Sequence, residues 1–105
     1  MTTDSGTRFH LKDPSVEYKG SAAQEAILDA AAKVYAASPQ PLVVTSANDG
    51  SHIDGSLHYE DKALDLRTWK IRDPGAAAAA IGELLGCGYD VIAEDTHIHA
   101  EHDPA

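Results

Sequence analysis

S-A-N-D-G-S-H-I-D-G-S-L-H-Y-E-D-K-A-L-D-L-R, residues 46–67, is the stretch on which the reading of this chain turns. From Asn48 to Ser56 it is built of Asn, Asp, Gly and Ser, residues that make turns, so the chain leaves any regular element there. From Ala63 it alternates instead. Leu64 and Leu66 fall on one face of an extended segment and Asp65 and Arg67 on the other. An aspartate inside a strand runs against propensity, and such local violations tend to mark sites. About thirty residues later E-D-T-H-I-H-A-E-H, residues 94–102, completes the pattern: on a strand His97 and His99 share a face while Ile98 and Ala100 point the other way. Together the segments supply His58, Asp65, Glu94, His97 and His99 in a chain otherwise rich in alanine, short aliphatics and acid.

Outward from this stretch the elements alternate. Leu42 to Ser46 is a short β-branched run, hence a strand. Before it, Ser21 and Gln24 have the spacing of a capping box, and Ile27, Leu28, Ala31, Val34 and Tyr35 recur at helical spacing, which predicts a helix to about Ala37, ended by Ser38-Pro39-Gln40-Pro41. After it, Asp73 and Pro74 start a second helix whose stripe is Ala77, Ala78, Ile81, Leu84 and Leu85, stopped by Gly86 and Gly88. Asp90 to Ala93 reads as a strand and Thr96 to Glu101 as a further strand or its continuation. Residues 1–20 have no clear period and are expected as an extended arm, lying against the body or adding an edge strand, with the core beginning near Gly20. The expected fold is α+β: residues 21–105 form one domain, a small antiparallel sheet that carries the site and is flanked by two helices.

Composition narrows the function classes. The chain has 105 residues and a formal charge of −9, with 17 acidic against 8 basic side chains, which disfavours nucleic acid and anionic bilayers as partners. The same charge would help concentrate a divalent cation. Cys87 is the single cysteine, so an intrachain disulfide and thiolate metal clusters are excluded, and between Gly86 and Gly88 it reads as a turn filler. The first ten residues have neither a basic nor an apolar stretch, so synthesis in the cytoplasm is expected. Oligomeric state is not readable.

The histidines and carboxylates match the chemistry of a zinc site. A catalytic zinc takes imidazole nitrogen and carboxylate oxygen as three protein ligands and leaves a fourth position for water. His58, Asp65 and one histidine of the 97–99 pair would form such a set, with Glu94 as the nearest base and Asp95 as the fallback if the strand runs unbroken.

The arrangement S-x-H-x6-D followed by H-x-H, here Ser56-Leu57-His58, Ala63-Leu64-Asp65 and His97-Ile98-His99, resembles the zinc D-alanyl-D-alanine peptidase superfamily. That group includes D-Ala-D-Ala carboxypeptidases and dipeptidases, phage L-alanyl-D-glutamate endolysins, murein endopeptidases and the hedgehog signalling domain. The resemblance covers about half of the chain, from Val43 to Glu101. It implies Zn2+ held by His58, Asp65 and His99, with His97 as transition-state helper and Glu94 as general base. The alternative spacing E-x-x-H, Glu94 to His97, would make His97 the third ligand. Two departures stand out: Asp61 occupies the place of the family's usual glycine, and the substrate-binding arginine that many relatives carry before the motif is absent. Arg67 is the substitute, and His52 and Ser56 are further candidates for substrate contact.

The resemblance therefore implies a metallopeptidase acting on peptidoglycan peptides, as a carboxypeptidase or as an endolysin-type endopeptidase released to the wall by a lysis partner. The competing expectation is a metal-stabilised binding module of the same fold that does no hydrolysis.

Overall fold

The computed structural model describes residues 1–47 and 62–103. Its elements, in order, are β1 (His10–Leu11), α1 (Ala22–Tyr35), β2 (Val43–Ser46), β3 (Ala63–Arg67), α2 (Pro74–Leu85), β4 (Tyr89–Ala93) and β5 (His97–His102). The strands form one sheet in the order β1-β2-β3-β5-β4. This is the α+β arrangement of two helices and a sheet, with one correction. The sheet is mixed, because β1 pairs parallel to β2 while all its other pairings are antiparallel.

The parallel pair has a physical origin. Parallel neighbours cannot be joined by a tight turn and need a crossover connection, usually helical. Here α1 is that crossover. His10 N–H donates to the Leu42 carbonyl and Lys12 N–H to the Val44 carbonyl, each at 2.9 Å. A two-residue strand leaves almost no periodic signal, which is why sequence alone leaves its pairing open. The core likewise starts earlier than Gly20. Phe9 and Val16 are both buried in the main cluster, Phe9 edge-on to Tyr18 at 5.0 Å between ring centres. The segment before β1 is tied to α1 by Thr3 Oγ1 donating to Asp29 Oδ1 at 2.9 Å.

α1 begins where its cap is complete. Ser21 Oγ accepts from Gln24 N–H at 3.1 Å, and Gln24 Oε1 accepts in return from Ser21 N–H at 3.1 Å and Gly20 N–H at 2.9 Å. α2 begins at Asp73, whose Oδ1 accepts from Ala76 N–H at 3.1 Å, with Pro74 in the first turn. It ends at Gly86, which has φ +81°, a left-handed value that a side chain would strain.

The two helices contact each other and cover one face of the sheet. Ile27, Leu28, Ala31, Ala77, Ala78 and Ile81 from the helices meet Leu64, Leu66, Ile98 and Ala100 from the strands, all buried in one cluster. Leu64 lies opposite Ala100 and Leu66 opposite Ile98, so both cross-strand pairs on this face are apolar. Each large aliphatic side chain buried there is worth about 1.5–3 kcal/mol. Because side chains alternate along a strand, this burial forces residues 65, 67, 97, 99 and 101 onto the sheet's other face.

Truncation should follow this division. Leu66→Ala, fully buried, is expected to cost about 2–5 kcal/mol in urea unfolding, whereas Leu84→Ala, on the exposed part of α2, should stay within about 0.5 kcal/mol of wild type.

Candidate metal centre

Asp65 and His99 are directly opposed in the β3–β5 ladder, and Arg67 is opposed to His97. Residues distant in sequence thus meet on neighbouring strands. His99 Nδ1 lies 2.7 Å from Asp65 Oδ1, and His97 Nε2 lies 3.8 Å from Asp65 Oδ2. On its far side His99 Nε2 lies 2.8 Å from Glu101 Oε1. The group is half-buried, with 18% of the Asp65 side chain and 20% of the His99 side chain exposed. That depth strengthens the pairing by shielding it from water.

These contacts set the charge state of His99. The hydrogen bond to Asp65 is the largest influence and raises its pKa, burial opposes it, and Glu101 raises it further, so the imidazole is pushed up to about 9. At neutral pH it is an imidazolium that donates from both ring nitrogens to flanking carboxylates. A cation entering between Asp65 Oδ1 and His99 Nδ1 would take the place of the proton they share, so metal uptake there must release a proton. Glu101 would then hold the opposite N–H, the carboxylate support that histidine ligands commonly have behind them. Asp65 and His99 are donor types that zinc accepts, and they are two of the three that such a centre needs.

His58, the remaining expected ligand, lies outside the described residues, as do His52 and Ser56. His97 sits beside Asp65, half-buried, with its Nδ1 3.3 Å from Thr96 Oγ1. Glu94 is exposed in the turn between β4 and β5, where its backbone N–H donates to the His97 carbonyl at 2.8 Å. That turn breaks the strand between Ala93 and His97, so Asp95 lies in the connection and not on a continuous strand with the histidines. Arg67 has its guanidinium carbon 3.8 Å from the centre of the Trp69 ring, and its carbonyl accepts from the Tyr35 hydroxyl at 2.9 Å.

Sequence reasoning passed over Glu101, although its signal was present: it is the next residue of the same period-2 series as His97 and His99. Glu101 also belongs to a second set of carboxylates. Asp90, Glu101 and Asp103 have ligand oxygens within 4.8 Å of one another, the one such group of at least three candidate ligands among the described residues. Asp90 is opposite Glu101 in the ladder, and exposed acidic groups of this kind occur widely without an ion. Asp65 and His99 need a further ligand to complete a centre, and His58 is the candidate.

Comparison of the sequence with protein-family models and with curated proteins finds no match.

The charge state gives a pH prediction. A histidine whose folded pKa lies above its unfolded value contributes stability that is fully present below about pH 6.5 and lost as pH rises through about 9. Imidazole titration by NMR on metal-free protein should place His99 near 9, and Asp65→Asn should bring it down toward the ordinary value. A wild-type His99 titrating near 6.5 would contradict the arrangement.

Proposed function

We propose that the chain is a zinc-dependent peptidase that hydrolyses an amide bond in peptidoglycan peptides. The observation that carries this reading is the meeting of Asp65 and His99 at 2.7 Å on adjacent strands with His97 beside them, on the face of the sheet turned away from the helices. The motif that runs from Ser56 to His99 supplies the substrate class, and neither the sheet nor the comparisons add to that.

In this reading Asp65 and His99, with His58, hold the metal, and Glu101 fixes the His99 ring from behind. Zinc, when bound, supplies Lewis acidity toward the amide carbonyl and makes a nucleophile available at neutral pH. Glu94, whose backbone N–H bonds to the His97 carbonyl across the hairpin turn, accepts the proton of the attacking water and delivers it to the leaving amine. His97 donates to the oxygen on which negative charge develops. Arg67 pairs with a carboxylate of the substrate, and His52 and Ser56 contact the peptide. The cleavage is assigned to the superfamily's two modes alike, carboxypeptidase trimming or endopeptidase cutting of the wall.

One observation favours the second reading, a metal-stabilised binding module. Glu94 is exposed, and no described side chain orients its carboxylate toward the histidines. A general base held so loosely is unusual, although such contacts often tighten only with substrate bound.

The two readings separate on a single assay. Zinc-loaded wild type incubated with synthetic stem peptides and with purified wall should release new amines or D-alanine. Glu94→Gln should lower kcat by about 100- to 10,000-fold with zinc still bound, and His97→Ala by about 100- to 1,000-fold. Cleavage undiminished in Glu94→Gln, or none by zinc-loaded wild type on any wall peptide, would end the peptidase reading and leave the binding module.

A further inference from the structure

We propose that the groove beyond the end of β3, between the turn that closes α1 and the segment Trp69–Arg72, binds an acidic peptide and serves as the subsite for the carboxylate-bearing part of the substrate. The word substrate rests on the peptidase reading. The binding itself does not.

Basic residues cluster here in an otherwise acidic chain. In a chain of net −9, three of the eight basic residues, Arg67, Lys70 and Arg72, fall within R-T-W-K-I-R at positions 67–72, around the single tryptophan. The groove there has a volume of about 710 Å³ and is walled by Ala37 to Pro39 on one side and Trp69 to Arg72 on the other. Among the described residues it presents two cations and no acidic side chain. Lys70 and Arg72 are both exposed, and among the described residues neither has an ion-pair partner. The adjacent carboxylate, Asp73, is occupied in capping α2.

The last carbonyls of α1, where basic residues often sit, have hydrogen-bond partners of their own. That end is closed by its own turn: the Tyr35 carbonyl accepts from both Ser38 N–H at 3.0 Å and Ser38 Oγ at 3.1 Å, and the Val34 carbonyl from Ala37 N–H. The groove is also built rather than incidental. Buried Gln40 ties its walls together, with Oε1 accepting from Lys70 N–H at 2.7 Å and Nε2 donating to the Pro41 carbonyl at 2.8 Å.

Trp69 is 70% exposed, while the Arg67 guanidinium lies against its ring at 3.8 Å. A large indole left in water beside cations is a surface suited to a ligand that brings both peptide planes to stack and carboxylates to pair. Arg67 joins this surface to the metal-centre candidates, because it stands opposite His97 in the ladder. Arg67 stacks in turn on Trp69, which lines the groove together with Lys70 and Arg72. A peptide with its scissile bond near His97 and His99 would lay its acidic neighbours along Arg67, Lys70 and Arg72.

The single tryptophan supplies its own reporter. Metal-free full-length chain titrated with N-acetyl tetraglutamate at low salt should show a saturable change in Trp69 fluorescence, with little response to N-acetyl tetraglutamine. The double substitution Lys70→Gln, Arg72→Gln should weaken binding by about tenfold, and Arg8→Gln, a cation elsewhere on the chain, should leave it unchanged. No saturable response, an equal response to the glutamine peptide, or affinity indifferent to the double substitution would overturn the groove. Because this titration uses no metal and no hydrolysis, it holds or fails separately from the peptidase reading. If cleavage is established, the double variant should raise KM for acidic peptides without lowering kcat, and an unaltered KM would remove the subsite and leave the peptidase.

Discussion

The register of β3 against β5 is the constraint on which the rest depends. Leu64 and Leu66 on one strand and Ala100 and Ile98 on the other are fully buried under the helices, and a slip of one residue would turn Asp65, His97 and His99 into that apolar space. Burying an unpaired carboxylate or imidazolium there costs far more than any local gain returns. The apolar face therefore fixes the polar face. The opposition of Asp65 to His99 follows from the packing of leucine and isoleucine on the far side of the sheet, where the helices lie. Gln24, which completes the cap of α1, and Asp73, which caps α2, hold those helices in place and so act on the site at one remove.

Electrostatics then gives the polar face its character. The chain is strongly acidic, and on this face acid is concentrated around one imidazole. His99 between Asp65 and Glu101 is a cation balanced by carboxylates, which satisfies the half-buried ring without a metal and sets the competition that a metal must win. In the zinc site proposed above, the metal would take the place of the proton between Asp65 and His99, so its affinity would depend on pH and on a third ligand. Farther along the sheet the charge reverses: Arg67, Lys70 and Arg72 surround Trp69. The proposed metal end and the proposed anion-binding groove would together suit an acidic peptide held across them.

Much of this was legible in the sequence, and the reasons differ by element. The strands β3 and β5 announced themselves because each is half-buried, so its apolar and polar residues alternate; that alternation placed Leu64 and Leu66 inward and put His97 and His99 on one face. The helices announced themselves by their caps. β1 did not, because His10–Leu11 is held by hydrogen bonds to β2 and by Phe9 behind it, and two residues cannot show a period. That short strand makes the sheet mixed. Whether residues 90–101 formed one bent strand or two also depended on a turn at Glu94 to Thr96 that lacks glycine and proline. The role of Glu101 was written in the period of β5 but hidden by the attention that H-x-H draws. The Arg67–Trp69 stacking and the groove beside it were not legible, since they depend on where the end of α1 lies relative to the end of β3.

Zinc stoichiometry measured by elemental analysis tests the account most directly, on wild type and on the single variants His58→Ala, Asp65→Ala, His99→Ala, and on the double variant Asp90→Asn, Asp103→Asn. The account predicts one zinc per chain in wild type, lost in each of the three single variants and kept in the double variant. Zinc retained in Asp65→Ala and His99→Ala but lost from the double variant would put the ion among the carboxylates at the β4–β5 edge and contradict the centre described above.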